Sequence, residues 1–198
     1  MRPKEHPFFK ICIEKWGRML PVWNKEFEFT FATCDEDFSK DHTRLGAIAA
    51  ACNAILDEYL DGHDYVLTMD SDIVAMPFDI VTQLHEANPD GVTAPMVFVE
   101  GTDQFYDTSG FLEGGERIQH KPPYFLSTED LVDLDCVGTI YLAPAYLYRE
   151  TRYANEPAGF TDHEEVMAGA RKLGMRVVCD RNVVVSHACL PLYGENWR

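Results

Sequence analysis

The chain has no basic excess: of 198 residues, 17 are Lys or Arg and 33 are Asp or Glu, a formal charge of −16. A protein holding nucleic acid mainly through its phosphates needs the opposite sign over much of its surface, so that class is disfavoured. The imbalance is uneven, because residues 149–198 carry seven basic and seven acidic side chains and the whole excess lies before them. Also missing is any apolar run near the roughly 18 residues that cross a bilayer. The first residues, Met1–Pro7, carry charge but no apolar stretch or small-residue cleavage site behind them, so they do not read as a secretory signal. A cytoplasmic site of action is expected. The six cysteines have no CxxC pair, and several lie in apolar stretches, which suits reduced, buried thiols. With no linker, internal repeat or low-complexity tract, residues 1–198 are expected to form one domain.

What is present is an alternation of helical and strand patterns. Residues 3–16 suit a helix with Pro3 in its first turn and Gly17 at its end. Glu26–Phe31 alternates strictly and predicts a half-buried strand with three Phe rings on one side. Leu45, Ile48, Ala49, Cys52, Ile55, Leu56 and Tyr59 form one helical stripe closed by Gly62. Asp64–Met69 is a short apolar strand ending in carboxylates; Pro77 opens a helix to His85 or Ala87; residues 91–98 are strand-like. Residues 100–130 are rich in Gly, Asp and Pro and read as a long loop region, a length uncommon unless functional. Further strands are expected at 136–143, 176–179 and 183–186, and a helix at about 162–173. This order predicts an α/β fold with a mostly parallel central sheet flanked by helices.

Ligands of open α/β sheets bind beyond the carboxyl ends of strands, where Asp70 and Asp72 stand. Residues i and i+2 of an extended segment point the same way, so both carboxylates can converge on one hard cation, Mg2+ or Mn2+. Such a cation holds two phosphates of a nucleotide and stabilises charge on a leaving diphosphate. The plainer alternative is that both aspartates bond a local turn, as Asp often does. A DxD of aspartyl phosphatases normally lies on the first strand and continues Gly-Thr, whereas here Ile73-Val74 follows.

Four separated pieces resemble GT-A-fold glycosyltransferases: RLGAIAAACNAIL (44–56), YVLTMDSDIVAMP (65–77), DCVGTIYL (135–142) and TDHEEVMAGARKLGMRVVCDRNVVVSH (161–187). They cover most of residues 44–187 in the family's order. In addition, Phe105-Tyr106-Asp107-Thr108 is similar to a short motif of mannosyltransferases related to capsule and mannan synthesis. The resemblance implies a nucleotide-sugar-dependent enzyme in which Asp72 ligates the metal, Asp70 meets ribose or metal through water, and His187 completes the site. Imidazole beside carboxylates is reasonable for manganese. It also implies donor contacts from Arg44, Asn53, Ser71 and Gly138, and acceptor-side roles for Asp162 and His163, which stand where the family has Glu-Asp. Either group can take a proton from a hydroxyl near neutral pH. Thr161 and Glu164 form a capping-box pattern that leaves Asp162 and His163 in the first turn. Acceptors could be a glycan, small molecule, protein or modified nucleic acid.

Two departures stand out. The Arg expected before Asn53 is Cys52, and the family's first strand must either be residues 8–16 or be absent. Two other functions compete: a catalytically silent nucleotide-sugar-binding module, and a nucleotidyltransferase, whose usual Gly-rich basic phosphate loop is not visible.

Overall fold

The eight residues Val92–Val99 are apolar almost throughout, and all but Phe98 are buried, as befits a strand covered on both faces. The computed structural model, which describes residues 7–34, 36–154 and 161–188, builds an α/β domain around this strand. In chain order the elements are α1 (Pro7–Trp23), α2 (Arg44–Tyr59), β1 (Tyr65–Met69), β2 (Ile73–Ala75), α3 (Ile80–Ala87) and β3 (Val92–Val99). There follow β4 (Leu112–Glu113), β5 (Glu116–Arg117), β6 (Leu131–Asp133), β7 (Ile140–Pro144), α4 (Ala145–Glu150), α5 (Glu164–Lys172) and β8 (Val177–His187). No helix among the described residues is long and apolar enough to cross a membrane.

The central sheet has the order β1-β7-β3-β8-β2, with β6 also paired to β8. It is mixed rather than mostly parallel: β3–β8 is a parallel pair, while β1–β7, β3–β7, β2–β8 and β6–β8 are antiparallel. The cause is β7, which runs between β1 and β3 in the opposite direction to both. Strands β1, β3 and β8 nevertheless share one direction, so their carboxyl ends meet at a single rim. Since β7 runs against them, its amino end reaches that rim too.

The helix expected to stop at Gly17 continues to Trp23 and contains Pro21. Gly17 instead lets the Phe31 ring lie close, since a Cβ there would stand 3.2 Å from Phe31. Residues 8–16 are therefore helical, not a first strand, and no strand among the described residues precedes β1; the expected start at Pro3 lies outside the described residues. Trp16, 2% exposed, donates its indole N–H to the Ile73 carbonyl at 2.6 Å, which fastens α1 against β2.

The predicted strand at Glu26–Phe31 is not formed. Phe27 and Phe29 are half-buried against the core, as alternation requires, but Phe31 is exposed and no ladder partner adjoins the segment. The 100–130 region is largely irregular and holds only the two-residue strands β4 and β5. The two short strands expected at 176–179 and 183–186 are one strand, β8, whose pairing with β3 shifts register between Pro95 and Met96. Of the cysteines, Cys12, Cys136 and Cys179 are buried and Cys34 and Cys52 half-buried, all as free thiols; Cys189 lies outside the described residues.

Candidate metal centre

At the shared rim, β1 ends on Met69 and the chain turns through Asp70, Ser71 and Asp72 into β2. Ile73 of β2 pairs with His187 at the end of β8, so the strand register itself carries Asp72 beside the imidazole. The Ala188 N–H donates to the Asp72 carbonyl at 2.9 Å and closes the corner. One ligand atom each from Asp70, Asp72 and His187 lies within 4.8 Å of the others. Donors to one small divalent cation stand about 2.1 Å from it, so shifts of a few tenths of an ångström gather this set around a common centre.

His187 is fully buried and its Nδ1 lies 3.0 Å from the Ala188 carbonyl, which can only accept. Nδ1 therefore carries a proton. Nε2, 2.8 Å from Asp72 Oδ1, then either bears a second proton or offers its lone pair to a cation shared with that carboxylate. Two carboxylates and one imidazole fit a divalent metal of the manganese kind. The Tyr106 ring stacks on the imidazole at 3.4 Å between centroids and 13° between planes, and so fixes its orientation.

Asp70 is exposed, so a solute can reach it, yet many protein atoms crowd around it. That surrounding mass, then the charges of Asp72, Asp107 and Asp162, push its pKa well above the ordinary carboxylate value, with Arg44 opposing. Four acidic groups thus face one region, and a bound cation would relieve their repulsion. Arg44 occupies the first position of α2 behind the Thr43 cap, whose Oγ1 accepts from the Gly46 N–H at 3.2 Å. Its charge also acts on Tyr106.

Asp162 and His163 lie at the opening of α5, beside this cluster. The helix begins at Glu164 with His163 as its N-cap, two residues later than the expected capping box requires. Thr161 Oγ1 instead lies 3.4 Å from both Asp162 Oδ1 and the His163 N–H. Asp162 is 5% exposed, and its Oδ2 has no hydrogen-bond partner among the described residues. The nearest cationic candidate, His163 Nε2, is 3.8 Å away, too far for a hydrogen bond. His163 Nδ1 contacts the Tyr141 hydroxyl at 3.2 Å, and that oxygen also meets the hydroxyls of Tyr153 at 2.6 Å and Tyr148 at 3.3 Å. A buried hydroxyl network therefore supports the ring from behind.

Gly138 lies between the two halves: a Cβ there would come within 2.5 Å of Asp107 Oδ2 and 3.2 Å of His163 Cδ2. Ser71 stays in the turn between the two aspartates, half-buried. Asn53, expected to contact the donor, has its amide engaged with the backbone. Its amide nitrogen donates to the Tyr153 carbonyl at 2.9 Å and its oxygen accepts the Tyr153 N–H at 3.1 Å, so both ends of its amide clamp the backbone. Burial and the charges of Asp162 and Asp70 push the neighbouring Cys52 thiol up to about 12, so a neutral group stands where the resemblance expected an Arg.

Sequence reasoning alone gave no role to Tyr106, Thr139 or Tyr141. Tyr106 had a local signal in the Phe105–Thr108 motif, and Thr139 and Tyr141 lie within the 135–142 piece that carried part of the resemblance. No family model matches the chain, and no curated protein matches it.

Proposed function

We propose that the chain is a metal-dependent glycosyltransferase that moves a sugar from a nucleotide-sugar to a hydroxyl-bearing acceptor. The observation that carries this reading is the convergence of Asp70, Asp72 and His187 at the rim, with the buried, unbonded Asp162 Oδ2 beside them. A divalent cation of the Mn2+ or Mg2+ kind supplies Lewis-acid stabilisation to a leaving diphosphate. Asp70, Asp72 and His187 hold it, and Tyr106 keeps the imidazole turned toward Asp72. Arg44 brings positive charge to the same region, suited to donor phosphates.

On the acceptor side, Asp162 Oδ2 and His163 orient the hydroxyl, and one of the two accepts its proton as the new bond from acceptor oxygen to anomeric carbon forms. The bond from the anomeric carbon to the phosphate oxygen breaks, and its electron pair leaves with the nucleoside diphosphate. That no described residue hydrogen-bonds to Asp162 Oδ2 supports this assignment, because a buried carboxylate oxygen costs free energy unless something pairs with it. The resemblance described above supports the choice of nucleotide-sugar as donor.

The test is incubation with a panel of nucleotide-sugars and Mn2+, reading release of nucleoside diphosphate. Release that chelator abolishes and that disappears in Asp72→Ala is the expected result. Binding without turnover identifies a silent module instead, and pyrophosphate released from a nucleoside triphosphate identifies a nucleotidyltransferase.

A further inference from the structure

Thr139 is the only described non-glycine residue with a positive φ, 59°. The Ile140 N–H donates to the Gly138 carbonyl at 2.6 Å across it, so residues 138–140 form a γ-turn of the strained hand. A β-branched residue is the wrong type for that backbone, which glycine adopts freely. A strained position beside a candidate site asks what holds it there.

Two contacts answer. The Thr139 hydroxyl donates to Asp107 Oδ2 at 2.7 Å, and the Thr139 carbonyl accepts the Asp70 N–H at 2.8 Å. Asp107 is anchored in turn, because its Oδ1 accepts the Gly110 N–H at 2.8 Å. Its carboxylate fills the space that a side chain at Gly138 would take. A continuous chain of bonds thus runs from the irregular 100–130 region through Asp107 and Thr139 to the first aspartate of the pair. The hydroxyl is what threonine offers over glycine, and the turn aims the carbonyl at Asp70.

We propose that Asp107 and Thr139 are positioning residues: they hold the strained turn that fixes the Asp70 backbone, and so the direction of its carboxylate toward Asp72 and His187. The consequence for cation binding rests on the metal reading above; the consequence for the Asp70 backbone does not. Two readouts separate them. The first is Mn2+ affinity by calorimetry, and the second is hydrogen exchange at the Asp70 amide in metal-free protein.

Thr139→Val removes the hydroxyl at nearly equal shape, and Thr139→Ser keeps it. Losing a group that orients a metal ligand typically weakens affinity about 10–100-fold, so Thr139→Val is expected in that range and Thr139→Ser within about threefold of wild type. The Asp70 amide is expected to exchange about tenfold faster in Thr139→Val and near the wild-type rate in Thr139→Ser. Thr139→Gly covers the case in which the valine variant does not fold. It relieves the backbone strain and deletes the hydroxyl, so a purely structural role leaves Mn2+ affinity unchanged, whereas a positioning role weakens it. Unchanged Asp70 exchange in Thr139→Val and Thr139→Gly overturns the proposal. Faster exchange in those variants, with a wild-type protein that binds no Mn2+, upholds the positioning of Asp70 and overturns the metal reading alone.

Discussion

Asp70 and Asp72 lie two residues apart in the sequence, but their surroundings divide the work between them. Asp72 is 8% exposed and in contact with His187 at 2.8 Å, while Asp70 stays accessible among three other carboxylates. Removing a directly coordinating group should cost at least the 10–100-fold typical of an outer-shell loss, so Asp72→Ala is expected to lower Mn2+ affinity by about 100-fold or more. Asp70→Asn, which keeps an oxygen ligand, is expected to lose less; equal losses in a calorimetric titration contradict this ranking. Asp70 also makes a prediction about pH. Its folded pKa is raised, so the native state binds this proton more tightly than the unfolded chain does. Stability from it is present at low pH and is lost as pH rises above the ordinary carboxylate value and through the folded one. Metal-free Asp70→Asn should therefore melt higher than wild type at neutral pH, with the gain shrinking on acidification toward pH 4. A melting gain independent of pH across that window contradicts the assigned cause.

At the scale of elements, the site depends on three strands of like direction ending together, and on α1 holding β2 in register. Trp16→Phe leaves the buried Ile73 carbonyl without its indole donor, a loss of about 1–3 kcal/mol, read as a lower urea midpoint at unchanged slope. Gly138→Ala drives a methyl into Asp107 and toward His163, so nucleoside diphosphate release should fall much further than the melting temperature. If both fall together, Gly138 serves the fold rather than the site.

The elements also show where the sequence could be read. The α2 helix and the run into Asp70 were legible because period and termination are local: Gly62 takes φ 84° just beyond the helix, and carboxylates follow an apolar strand directly, although Ile48 and Tyr59 of the expected stripe are exposed. Strand direction was not. Alternating helices and strands suggest parallel pairing, but β7 enters between β1 and β3 after the long irregular region, and its direction is decided by tertiary closure. The Phe27–Phe31 alternation misled for a related reason, since half-burial against neighbouring structure leaves the same two-residue signature as a sheet. The expectation for His187 came from the family resemblance alone, because nothing near it in the chain marks a ligand. Tyr106 and Thr139 acquire their roles from partners such as His187 and Asp107 that the fold brings to them.

Across the whole molecule, the formal charge of −16 favours accumulation of divalent cations near the surface, so specific binding must be told apart from a diffuse ion atmosphere. A specific site stabilises only the folded state: at a free Mn2+ concentration of 100 times the dissociation constant the gain is about 2.7 kcal/mol. For a chain of this size that corresponds to a rise in melting temperature of roughly 5–10 °C. Asp72→Ala should abolish the rise, whereas an ion-atmosphere effect survives that single substitution and fades with added monovalent salt.

The central claim is that two carboxylates and one buried imidazole share a cation, and pulsed electron paramagnetic resonance of bound Mn2+ tests it most directly. The wild-type protein is expected to show coupling of the ion to one imidazole nitrogen, lost in His187→Ala while weaker binding through Asp70 and Asp72 remains. Mn2+ bound without nitrogen coupling, or coupling that persists in His187→Ala, contradicts the assignment.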